Sequence, residues 1–64
     1  MRLFADHEMD PDRVIVRHGV QVIAMGPVRA PILVAAALEG DVDVFVHPDA
    51  EIEFMEWLKS RRLN

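Results

Sequence analysis

The sequence predicts an α+β fold: a small, mainly antiparallel sheet of three or four strands with a C-terminal amphipathic helix packed on one face. Three observations carry that expectation. Residues 13–25 are rich in β-branched side chains, and Val42, Val44 and Val46 recur at every second position, the period of a strand. The closing segment instead repeats its apolar residues at helical spacing, with acids at its start and bases at its end.

Arg2 to Ala5 reads as a short first strand, and Asp6 to Asp12 as a polar loop that Pro11 keeps from becoming helix. In the next strand region Val14, Val16, Val20 and Val22 share one parity and Arg17, Gly19 and Gln21 the other, the alternation of a sheet with one buried face. His18-Gly19 fits a two-residue hairpin turn, and the alternative is one long strand with a glycine bulge. Gly26-Pro27 and Pro31 then interrupt the chain. Ile32 to Leu38 is ambiguous: three consecutive alanines favour helix, whereas Ile32-Leu33-Val34 suits a buried strand, and length argues for strand. Glu39-Gly40-Asp41 turns the chain into the strand Val42 to Val46.

The last element is expected over residues 49–63, after Pro48, with His47 or Asp49 outside its first turn. At 100° per residue, Phe54, Met55, Trp57 and Leu58 fall on one side and Asp49, Glu53, Glu56 and Ser60 on the other. Such a helix needs an apolar surface to lie on, and Trp57 is expected to anchor it.

Sixty-four residues form a single domain, strand-rich over 2–46 and helical over 49–63, near the lower limit of what one core can stabilise. The chain contains no cysteine, so neither a disulfide nor a thiolate metal site can staple it. With 52% hydrophobic residues, a monomer this small should expose apolar surface, and a homo-oligomer, favoured as a dimer, would cover it. The longest apolar run is far short of the roughly 20 residues that span a bilayer, and no secretory signal pattern opens the chain, so a cytoplasmic protein with no membrane partner is expected.

The net charge of -4 is banded along the chain. Residues 1–12 carry four acids and one arginine, 13–38 three arginines and no acid, 39–56 seven acids and no base, and 57–64 three bases. Folded, such blocks form patches of opposite potential or simply the solvated faces of strands and helix.

Residues for chemistry are scarce. The loop from Asp6 to Asp12 spaces its acids like a calcium loop but has Pro11 where that loop needs glycine and Arg17 where it needs a bidentate glutamate. His7, His18 and His47 lie on separate segments without the close spacing of a zinc site. His47-Pro48-Asp49 resembles the start of an acid/base pair, but Asp49 serves equally as a helix cap, and Ser60 is the sole hydroxyl nucleophile. Gly19, Gly26 and Gly40 are isolated and form no phosphate loop. The reading is accordingly of no catalytic, cofactor-binding or metal residues and no cofactor.

The function expected is that of a non-enzymatic protein-binding module or small regulatory inhibitor. Glu39, Asp41, Asp43, Glu53 and Glu56 would meet a basic protein, and Met55 and Trp57 would supply apolar contact. A structural protomer that assembles with itself is the alternative. Nucleic-acid binding ranks below both: it rests on Arg13, Arg17, Arg29, Lys59, Arg61 and Arg62, in an acidic chain whose other aromatics are Phe4 and Phe45.

Overall fold

The computed structural model describes residues 1–62. Strands β1 (Arg2–Ala5), β2 (Arg13–His18) and β3 (Gln21–Pro27) precede helix α1 (Pro31–Ala37), and strand β4 (Asp43–Val46) follows it. A 3₁₀ turn, Pro48–Ala50, leads into helix α2 (Glu51–Arg62). The four strands form one sheet in the order β1-β4-β2-β3. The β2–β3 and β2–β4 pairs are antiparallel, and β1 lies parallel to β4. The α+β class with a mainly antiparallel sheet and a C-terminal helix is therefore the observed one. The helix expected to run to Leu63 is seen through Arg62, and Leu63 lies outside the described residues.

Register separates the sheet into two faces, because directly paired residues project to the same side. Val14 pairs with Gly26 and Val46, and Val16 with Ala24 and Val44. Val14, Val16, Val44 and Val46 are fully buried, and they share one cluster with Leu33, Ala36 and Ala37 of α1 and with Phe54 and Leu58 of α2. Burying each larger side chain contributes about 1.5–3 kcal/mol, so this cluster is the main source of cohesion.

The parity expected for residues 14–22 fails at its second half. Val20 is 99% exposed at the hairpin tip and Val22 is 51% exposed. The cause is a bulge: Val16 pairs with Ala24 but Arg17 pairs with Val22, which leaves Ile23 as the extra residue. One added residue exchanges the two faces of a strand, so Ile23 packs toward the core and Val22 joins the opposite face. The hairpin turn is Gly19-Val20, one residue later than His18-Gly19. Gly19 adopts φ +63°, and among the described residues only glycines have positive φ, which matches a turn with glycine at its first central position.

A second correction concerns Ile32 to Leu38, read as strand from its length. Residues 31–37 are helical. Pro31 occupies the first turn, where its missing N–H costs nothing, and Leu33, Ala36 and Ala37 are buried at helical spacing. Alanine propensity and the small volume needed beside the sheet outweigh the brevity of the run. The approach is close at Gly26, where a Cβ would stand 3.2 Å from that of Ala30.

The ends of the sheet are fixed by local hydrogen bonds. In the acidic loop the Asp6 carboxylate accepts from the Glu8 N–H and the Asp10 carboxylate from the Asp12 N–H, each at 2.9 Å. At the start of the 3₁₀ turn the Asp49 N–H donates to His47 Nδ1 at 3.0 Å, so His47 rather than Asp49 is the cap.

Candidate docking surface

The face opposite the core is built from the alternate residues of the same strands. One row crosses all four: Phe4 pairs with Phe45, Phe45 with Ile15, and Ile15 with Met25. A second row, one step along, is Arg2, Asp43, Arg17 and Val22. Arg13 stands beyond the first row on β2, opposite Pro27. Phe4 is 41% and Met25 54% exposed, while Ile15, Phe45 and Arg17 are half-buried by their neighbours. The described residues thus leave this face open to solvent as a continuous apolar strip with arginines beside it.

The strip is organised rather than loose. The Phe4 and Phe45 rings stack with centroids 5.2 Å apart and planes 17° from parallel. The Arg17 guanidinium lies 4.5 Å from the Phe45 centroid, and that of Arg2 lies 5.9 Å from the Phe4 centroid. Phe4 approaches from β1 and Arg17 from β2, so Phe45 on β4 is flanked on both sides. Arg2 Nε also donates to Asp43 Oδ1 at 3.0 Å. Arg17 differs from Arg2. It makes no ion pair among the described residues, and its Nε is withdrawn from solvent without a hydrogen-bond acceptor. The Arg17 guanidinium is thus held against an aromatic ring with one donor left unsatisfied.

The residues named from sequence as an interaction set do not converge. Asp43 lies on the open face, bound to Arg2. Glu39 and Asp41 border a shallow hollow of 220 Å³ with His18, Ile23 and Val42. Glu53 accepts from Arg29 at 3.0 Å. Met55 and Glu56 line an open groove of 670 Å³ with Met1, Leu38, Ile52 and Lys59. Trp57, expected as a buried anchor, is half-buried: its indole N–H donates to the Ala30 carbonyl at 3.4 Å and Arg61 lies over its ring. The buried stripe runs from Ala50 of the 3₁₀ turn to Phe54 and Leu58 of the helix, while Met55 lies 40% exposed at the groove.

His7 and His47 meet edge to face with ring centroids 5.9 Å apart, whereas His18 lies beside Glu39 and Asp41. Among the described residues no group of three or more histidines, aspartates or glutamates is placed to hold a metal ion. None of their helices is long and apolar enough to cross a membrane.

Phe4, Ile15, Met25 and Phe45 were missed as a set, although one signal was present. In Val42-Asp-Val-Phe-Val46 the valines take one parity, so Phe45 must share the outward parity with Asp43. A phenylalanine is thereby placed on the face that also carries an aspartate. No family model, no curated protein and no solved structure matches the chain.

Proposed function

We propose that this chain is a non-enzymatic protein-binding module and that it binds through the open face of its sheet. The observation that carries the reading is the uncovered row Phe4-Phe45-Ile15-Met25 with Arg2, Arg13 and Arg17 beside it. Aromatic residues, methionine and arginine are the types enriched in interface centres, where they bury large area at modest entropic cost. They are residues of contact rather than of proton transfer. Three arginines stand against one aspartate on this face and Arg17 has no carboxylate of its own, so the partner it fits presents apolar side chains with a carboxylate opposite Arg17. That is the opposite charge from the basic partner the acidic residues alone suggest.

The same face gathers two of the arginines, Arg13 and Arg17, and the phenylalanines Phe4 and Phe45 on which a nucleic-acid reading rests. Base stacking requires a free ring face, and Phe45 has Phe4 on one side and Arg17 on the other. A base would have to displace one of them, which favours protein.

The test places a photoreactive residue at Val22 or Met25, and separately at Ile52 in the groove, in the native host. Protein adducts from positions 22 and 25 but not 52 are expected, whether the captured chain is another protein or a second copy. Adducts from position 52 alone, or nucleic-acid adducts from 22 and 25, would overturn the reading.

A further inference from the structure

Resting on the reading of the open face as a docking surface, we propose that its occupant is a second copy of this chain, related by a two-fold axis parallel to the strands between β4 and β2. Two sheets packed face to face keep their strands roughly aligned and about 10 Å apart. A two-fold axis along the strands preserves each row and reverses the strand order, so β1 faces β3 of the second copy and β4 faces β2. The order β1-β4-β2-β3 then decides every contact. In the apolar row, Phe4 meets Met25 of the second copy and Phe45 meets Ile15, each contact occurring twice. Aromatic–thioether and aromatic–aliphatic contacts both pack well.

The charged row decides between a second copy and a foreign partner. Under the same axis Asp43 meets Arg17 of the second copy, and Arg17 meets its Asp43. Arg17, like Arg13, has no carboxylate among the described residues, and Arg17 alone has its Nε withdrawn without an acceptor; Asp43 is the one carboxylate that the described residues place on this face, engaged with Arg2 through Oδ1. The face thus carries both halves of the ion pair it lacks, which is the self-complementarity an isologous dimer needs. An axis perpendicular to the strands fails this test, since it stacks β2 on β2 and brings Arg17 toward Arg13 of the second copy. Like charges would then face each other across a desolvating contact.

Sedimentation equilibrium of the full chain tests the pairing. The wild type is expected to shift from 7.3 kDa toward about twice that mass as concentration rises. Arg17→Asp sets aspartate against aspartate and Asp43→Arg sets arginine against arginine, so each alone should weaken association about 100-fold or more. Mixed in equal amounts, the two variants regain both opposite-charge contacts and should form a 1:1 heterodimer. Met25→Glu, on an exposed edge-strand position, should also give a monomer, and far-UV circular dichroism reports that each variant is folded.

A wild type that stays at 7.3 kDa throughout overturns the self-pairing. Single-charge variants that remain dimeric, or a mixture that does not associate, overturn it equally. In any of these cases, photo-adducts of a different protein from Val22 and Met25 would leave the docking surface itself standing.

Discussion

The two faces of this sheet are made by the same strands from different residue types, and they differ in what holds them. On the closed face the strand residues are almost all valine, alanine or glycine, and two helices supply the larger Leu33, Phe54 and Leu58. Small, branched side chains on the strands let the helices approach closely, as Gly26 does for the start of α1. On the open face the sequence puts its larger side chains on the strands themselves, Phe4, Phe45, Ile15 and Met25, with arginines stacked among them. Nothing within the described residues is shaped to lie on that side. A 64-residue chain can therefore build its core on one face of a sheet and leave large apolar side chains uncovered on the other.

The comparison breaks first, if it is wrong, at the phenylalanines. Phe54→Ala removes a fully buried ring and should cost about 3–5 kcal/mol, enough to unfold a domain this small. Phe4→Ala on the open face, measured by urea denaturation where the chain is monomeric, should cost about 1 kcal/mol or less. Equal losses would mean that both faces belong to the core.

Trp57 probes the boundary between core and surface on α2. Because it is half-buried, with its indole N–H on the Ala30 carbonyl, Trp57→Ala should cost about 2–3 kcal/mol, less than Phe54→Ala. Glu56→Ala, at the exposed rim of the groove, should stay within about 0.5 kcal/mol. A Trp57 loss as large as that of Phe54 would place the indole inside the core.

The most direct comparison uses one residue type and one substitution. Val16→Thr buries a hydroxyl among apolar side chains and should cost about 1–3 kcal/mol. Val22→Thr, on the open face beyond the bulge, should change the unfolding free energy by no more than about 0.5 kcal/mol. Similar effects at the two sites would show that the bulge does not turn Val22 outward.

By itself the sequence determined a short strand at Arg2–Ala5, β structure within residues 13–25, a strand ending at Val46, the closing helix and the single apolar core, because periodicity and terminal charge act within a few residues of the chain. Over residues 32–38 the local signals conflicted, the alanines favouring helix and the shortness of the run favouring strand, and the helix α1 was settled only by packing against the sheet. Tertiary structure alone decided which residues share a face. The bulge at Ile23 reversed the parity of Val22, and the order β1-β4-β2-β3 brought Phe4 beside Phe45, from opposite ends of the sheet-forming sequence. It also scattered the acids that lay close together in sequence, sending Asp43 to the open face and Glu53 and Glu56 to a helix elsewhere. The physical reason is that local periodicity fixes how side chains alternate along one segment, whereas register and strand order fix which alternations meet, and those depend on pairings between residues distant in sequence.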